Sequence, residues 1–501
     1  MSEEILINVT PEETRVALVE NGVLQEIFIE RTERQGTVGS LHKGRVLRVL
    51  PGMQAAFVDI GAERSAFLHV SDMAEARLPG ANGESIVLNE AGAPLLASGK
   101  LEKIERLLYE GQEILVQVIK DALGNKGARL STHISIPSRY LVFMPRVDHV
   151  GVSARIEDEV ERTRLKELIL TLRRDCPGGY IVRTAGEGAS AEVLRRDMIL
   201  LNKVWQAIQA RVMDTPGGQR IHDDLPLVLR TLRDLVDAQV ERIRIDSRQT
   251  YQLVSQFVQA FLPDYKFQIE YYTGERPIFD LFGVEDEIQR ALDRKVPLKS
   301  GGYLIIDQTE SMTTIDVNTG GYVGFRNLEE TIFKTNLEAA QAIARQLRLR
   351  NLGGIIIIDF IDMEEDEHRQ QVVRALEKAL ERDPAKIKIS EVSALGLVEM
   401  TRKRTRESLG RILCEPCPAC NGRGYVKTVE TVCFEILREI MRAARQFETR
   451  ELLVLASEAV IHRFMEDKAT SLGELEQFLG QPIRLQAQSM YHTDQFDVVV
   501  L

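Results

Sequence analysis

Two stretches decide the reading of this chain: Met312-Thr-Thr-Ile-Asp316-Val-Asn318 and Ile355-Ile-Ile-Ile-Asp359-Phe-Ile-Asp362. Each is a largely apolar, β-branched run closing on a carboxylate. A carboxylate at the point where a buried strand emerges is held rigidly by the strand behind it. Two of them on neighbouring strands suit a divalent cation with oxygen ligands, water and phosphate completing the shell. Asn318, and Asp362 or Asp307, stand near enough in sequence to assist. A single Asp here serves equally well as a turn former or helix cap, so the pair carries the chemical argument. The four isoleucines predict a strand buried on both sheet faces.

Around these strands the pattern is α/β. Tyr303 to Asp307 and Met312 to Val317 read as a hairpin. Phe333, Leu337, Ala340, Ala344 and Leu347 fall on one face of a long helix. Gly353-Gly354 stops that helix before the isoleucine strand, and His368 to Arg382 is helical. N-terminally, Ile5 to Val9, Arg15 to Val19 and Val23 to Ile29 form a meander turning at Asn21-Gly22. It has too few strands to stand alone, so a later segment must complete its sheet. Short Gly-punctuated strands between 38 and 131 suit an OB-type barrel, with Leu78 to Lys100 as an insertion or mobile loop. Residues 132–226 alternate strand-like and helical runs. A small α/β unit with an amphipathic first helix, Glu430 to Arg445, closes the chain.

Composition excludes some classes. The 501 residues allow about three to five compact units. A formal charge of −11 gives no global attraction to nucleic acid, leaving recognition to local basic patches. No apolar run reaches membrane-span length, and the N-terminus has no signal-peptide pattern. Five cysteines, three of them between 414 and 420, argue against a disulfide scaffold and for a reducing cytoplasm.

Four further groups bear chemistry. Arg345, Arg348 and Arg350, then Arg402, Lys403, Arg404, Arg406 and Arg411, suit a polyanionic substrate or, equally, a solvated face with cations at a helix C-terminus. Phe57 and Phe67 on adjacent barrel strands, with Lys126, suit stacking of single-stranded bases beside a cation, unless the rings are core. Arg183-Thr184 pairs a guanidinium with a hydroxyl at a strand end, as a phosphate requires. Cys417-Pro-Ala-Cys420 has zinc-ligand spacing, and no second Cys pair follows. Two thiolates per chain make four in a dimer, so zinc would join protomers; a half-vestigial site or free thiols is the alternative. Together these features imply a metal-dependent hydrolase with a structural zinc.

The runs Thr314 to Asn318, Asn336 to Ala340, Arg345 to Arg350, Gly354 to Met363 and Leu395 to Arg402 closely resemble the RNase E/G endoribonucleases. The likeness continues through Gln54 to Asp59, Gly124 to Gly127 and Arg183 to Gly186, and so spans essentially the whole chain. It implies a multidomain α/β and β architecture. Residues 1–37 with 228–290 would form a split RNase H-like subdomain, and 38–131 an inserted OB-fold for RNA. Residues 132–227 would be a 5′-end sensor, 291–412 a DNase I-like catalytic subdomain, 413–425 a zinc link and 426–501 a small α/β dimerisation domain. With the chain ending soon after that unit, the resemblance implies a member without the long scaffold tail that others carry.

The same resemblance implies roles for residues. Asp316 and Asp359 would coordinate Mg²⁺, and Asn318 would orient the scissile phosphate or the attacking water. Phe57, Phe67 and Lys126 would clamp RNA. Arg183 and Thr184 would grip a 5′-monophosphate in a pocket lined by Val142 and Arg155. Cys417 and Cys420 would give half of a Zn²⁺ site shared in a homodimer. Cys414 is a third nearby thiol, Ala154 replaces an arginine found in some members, and Ser138 a pocket glycine. The implied activity is a cytoplasmic, single-strand-specific endoribonuclease that matures ribosomal RNA 5′ ends (16S) and turns over mRNA. RNA binding without catalysis, and a metal-dependent phosphatase or exonuclease, are the rival readings.

Overall fold

The computed structural model describes residues 3–32, 36–73, 87–88, 94–95, 103–122, 127–236, 239–261, 267–321, 328–404, 406–420, 422–446, 451–467 and 469–501. It divides into two compact units, Met1–Ile412 and Leu413–Leu501.

The first unit begins with the antiparallel meander Glu3–Val9, Glu13–Glu20 and Val23–Arg31. Asn21 (φ 48°) and Gly22 (φ 78°) take the left-handed pair of angles that matches the twist of a hairpin. Val240–Ile245 joins in parallel beside Glu3–Val9, and Gln268–Tyr271 extends the sheet beyond it. Asn8 Nδ2 donates to Asp246 at 2.6 Å across 238 residues of sequence. Ile5, Ile7, Val16 and Leu18 pack with Leu227, Leu232 and Val236 around the helix Leu227–Leu235.

Next comes a closed five-stranded barrel, consistent with an OB-fold. Its strands are Leu41–Leu50, Ala55–Asp59, Ala66–His69, Arg129–Ser131 and Glu113–Lys120, the last closing on the first. Ala56, Val58, Ala66 and Leu68 fill its core. The insertion expected at Leu78 to Lys100 lies outside the described residues apart from the short strands Val87–Leu88 and Pro94–Leu95. A small sheet follows, Ile136–Pro137, Leu141–Met144, Gly179–Val182 and Val150–Val152. It packs with the helices Glu159–Leu172 and Ala191–Asp214, which Asp158 and Ser190 cap at their N-termini.

The last sheet of this unit positions the site. Its strand order is Lys295–Pro297, Tyr303–Gln308, Met312–Asn318, Gly354–Asp359, Leu397–Arg402, Ile387–Val392. Only Met312–Asn318 and Gly354–Asp359 run parallel, because the helix Leu328–Leu349 carries the chain back between them. Leu304, Ile315, Val317, Ile356, Ile358 and Val398 point into a core with Ala340, Ile343 and Leu347 of that helix and Val372 and Leu376 of the helix Asp366–Leu380.

Among the described residues nothing covers the other sheet face, which corrects the expectation for the four isoleucines. Ile356 and Ile358 are buried, but Ile355 is 47% exposed and Ile357 only half-buried. The strand is flanked by one parallel and one antiparallel neighbour and covered by helices on one side only. Its entry is tight: a Cβ on Gly353 would lie 2.7 Å from Arg404 Cγ, and Gly354 has φ +99°.

In the second unit, Leu452–Ala456 lies between Ile483–Ala487 (parallel) and Phe496–Val500 (antiparallel). Val432, Cys433, Ile436 and Ile440 of the helix Val429–Gln446 bury against it. Among the described residues no helix is long and apolar enough to cross a membrane.

Candidate active site

Asp316 and Asp359 are direct partners in the parallel ladder. Their Cα atoms are therefore one strand spacing apart, about 5 Å. Both side chains emerge on the open face. Asn318 is two residues further on the same face, and its Nδ2 donates to Asp316 Oδ2 at 2.8 Å. Asp359 has its pKa raised, first by partial burial and then by the carboxylates of Asp316 and Asp362. Among the described residues neither Asp316 nor Asp359 is paired with a cation.

Among the described residues no three His, Cys, Asp or Glu gather as a ready metal cage. The donor set instead fits Mg²⁺, which takes one or two protein carboxylates and keeps water and phosphate oxygens. Asp307 does not join the set. It lies at the far end of its strand, opposite Thr314, and both its oxygens accept from Arg294 at 2.6 Å.

Asn336, a residue to which the sequence reading gave no role, holds the segment after Asp359. It is completely buried in the long helix. Its Nδ2 donates to Ile361 O at 2.8 Å and its Oδ1 accepts from Ile361 N at 3.1 Å. The side chain thus continues the ladder where the strand has ended. A polar residue between Phe333, Leu337 and Ala340 on the apolar stripe was the available signal.

Most of the basic residues are tied into the fold, and Arg402, Arg406 and Arg411 also line a cleft. Arg348 is buried and donates to Glu26 and Glu20 of the first sheet. Arg350 is buried on Gln346 and the carbonyl of Asp293. Arg345 pairs with Glu287. Arg402 grips Asp383 with both Nε (2.7 Å) and Nη2 (3.1 Å). Arg406 lies 3.7 Å over the Phe28 ring. Lys403, Arg404 and Arg411 remain at the surface.

On the barrel, Phe57 and Phe67 are cross-strand partners that alternate with the core residues, so they belong to the outer surface. Their rings meet edge to face at 6.1 Å. Lys126 lies outside the described residues.

Arg155, Arg183 and Thr184 line one cleft of ≈ 1060 Å³. Val142 is the direct strand partner of Ile181, which also lines it. Thr184 Oγ1 lies 3.2 Å from Ser153 Oγ, a hydroxyl the sequence reading did not single out. Arg183 donates to Ser138 O at 2.6 Å and to Asp234 at 2.7 Å. Arg155 donates to Pro384 O at 2.6 Å and Asp383 O at 3.2 Å. Burial pushes the Asp234 carboxyl up, but Arg233 and Arg183 outweigh it and hold its pKa below the usual range. The Ser138 hydroxyl is turned onto buried Asp197.

In the second unit Cys417 is exposed and Cys420 buried. Cys420 Sγ accepts from Gly424 N at 3.4 Å. That bond leads a set, with Gly422, Arg423 and the Cys417 thiol, that outweighs burial and lowers the Cys420 pKa. A thiol held toward its thiolate is the form zinc requires. Cys414 forms no metal-binding group with them among the described residues.

Residues 135–405 fit the ribonuclease E/G family, and residues 416–500 fit its thioredoxin-like domain. Ribonuclease G of Escherichia coli (strain K12) is 53% identical over 501 residues, covering 100% of both chains. Ribonuclease G of Haemophilus influenzae is 52% identical over 499 residues, 99% of each. Ribonuclease E of Escherichia coli (strain K12) is 39% identical over 477 residues, 95% of this chain and 44% of that protein. On residues matched and identity alike, the chain belongs to the ribonuclease E/G family.

Proposed function

We propose that this chain is a Mg²⁺-dependent endoribonuclease acting on single-stranded RNA in ribosomal RNA maturation and mRNA turnover. The observation that carries the chemistry is the register-matched pair Asp316 and Asp359 on an open sheet face, with Asn318 beside it. Membership of the ribonuclease E/G family supports RNA as the substrate.

Asp316 and Asp359 would hold the metal, which would supply Lewis acidity to the scissile phosphate and acidify a bound water. Asn318 presents an amide that can donate to a non-bridging phosphate oxygen or accept from the attacking water. In-line attack expels the 3′ oxygen and leaves a 5′-phosphate and a 3′-hydroxyl. Phe57 and Phe67 would stack bases beside Lys126. Arg183, Thr184, Arg155 and Val142 would form the pocket for a 5′-monophosphate. Holding that end raises the local concentration of the rest of the strand at the cut site. Cys417 and Cys420 would give half of a zinc site in a cytoplasmic homodimer. The subdomain boundaries set out above belong to this reading too.

Cleavage of an AU-rich, 5′-monophosphorylated single strand tests it. Asp316→Asn and Asp359→Asn should each lose activity on the order of 10²-fold or more while still binding RNA. Products trimmed only from an end would establish an exonuclease or phosphatase instead. Arg183→Ala should lower cleavage of 5′-monophosphate RNA about 10-fold or more, and of 5′-hydroxyl RNA far less. An equal loss on both substrates contradicts the sensor.

A further inference from the structure

We propose that Lys295 and Tyr303 form an additional RNA subsite on the open sheet face, taking a phosphate and an adjacent base next to the bond being cut. The inference rests on the endonuclease reading above. Lys295, Ile305, Asp316, Asp359 and Leu397 form one continuous row of ladder partners across the sheet. Direct partners share a face, so Lys295 stands on the side of the carboxylate pair, two strand spacings or about 10 Å from Asp316. Tyr303 is the ladder partner of Asn318. It therefore lies on the same face, one position over from that row.

The two side chains are already assembled. Lys295 Nζ sits 3.8 Å from the centre of the Tyr303 ring. The ring also approaches the turn after Asn318, where a Cβ on Gly320 would lie 3.4 Å from Tyr303 Cδ1. The neighbouring Arg294 is neutralised by a two-pronged bond to Asp307. Among the described residues Lys295 has no carboxylate partner, so its charge is oriented but not cancelled. A charge-assisted bond to phosphate is stronger than the contact of an ammonium with an exposed ring, so a phosphate draws the ammonium away. The uncovered ring face then accepts a base, as aromatic side chains do along single strands. Ile305, the ladder partner of both Lys295 and Asp316, gives the strand an apolar floor between this subsite and the carboxylates.

The test uses the full-length protein and a single-stranded RNA with one cut site. Phosphates around that site are replaced, one at a time, by uncharged methylphosphonates. For the wild type, one position beside the scissile bond should raise KM about 10-fold. Lys295→Gln should raise KM similarly on unmodified RNA, leave kcat unchanged, and add no further loss at that position. Its log KM should also depend less steeply on log salt, by about 0.7. Tyr303→Ala should become indifferent to an abasic nucleotide at the neighbouring position, and Tyr303→Phe should behave as the wild type. Losses that multiply at every position, or an unchanged KM in Lys295→Gln, overturn the subsite while leaving the nuclease intact. A wild type that makes no internal cut overturns both readings.

Discussion

Asp359 is held in a place that does not favour its charge. Burial and two neighbouring carboxylates raise its pKa, so at neutral pH its ionised form repels Asp316 and Asp362. Without metal, Asp359→Asn should therefore unfold at a higher temperature than the wild type, and adding Mg²⁺ should stabilise only the wild type. Calorimetry in a chelator and then in Mg²⁺ reads both effects. A lower midpoint for the variant in the chelator would contradict the repulsion. The two acids were legible in the sequence because a carboxylate closing an apolar strand is a rare local pattern. The arginines were not. Arg348, Arg350 and Arg402 look like surface charge in one dimension, and only the fold brings Glu26, Asp293 and Asp383 to meet them.

At the scale of elements, side chains splice strands and helices together. Asn336→Leu keeps the volume but leaves both backbone groups of Ile361 without their partner. A stability loss of about 1–3 kcal/mol is expected in urea unfolding, with a higher Mg²⁺ requirement for cleavage. An unchanged Mg²⁺ requirement would limit Asn336 to packing. Asp383 and Arg402 have side-chain exposures of 0% and 4%. Asp383→Ala strands a buried guanidinium and should cost about 3–5 kcal/mol. Glu161, at the start of the helix Glu159–Leu172, has its pKa lowered to about 2, led by the hydrogen bonds from Arg164 and Gly188 N. A depressed carboxyl stabilises the fold above its unfolded pKa, and that contribution fades as pH falls toward 2. Glu161→Gln should accordingly flatten the acid limb of the stability profile, which denaturation at pH 5 and pH 3 would show. The strands and helices around the site were readable from apolar spacing. The open face was not, because a run of isoleucines is the same whether one or both of its sides are covered.

At the scale of the molecule, Leu413–Leu501 has its own core of Val432, Ile436, Ile440, Leu452, Val454 and Phe464. Expressed alone, it should fold cooperatively, and a spectrum of dispersed amide resonances would show it. Replacing Cys417 and Cys420 with Ser in the full chain should remove zinc and favour monomers. Retained zinc with an unchanged dimer would dismiss the shared site. The sequence foretold that the N-terminal meander needs a later partner, since three short strands bury too little by themselves. Which segment answers was beyond local pattern, and the parallel pairing of Glu3–Val9 with Val240–Ile245 supplies it.

That pairing also sets a clock on synthesis. Asn8 and Asp246 are 238 residues apart. At translation speeds of about 5–20 residues per second, the Glu3–Val9 edge waits roughly ten to fifty seconds for its neighbour to leave the ribosome. During that interval an unpaired strand with Ile5, Leu6 and Ile7 at its centre is an open template for aggregation. Chaperone demand for this chain should therefore fall early in elongation, and slowing translation between residues 31 and 240 should lower the yield of folded protein.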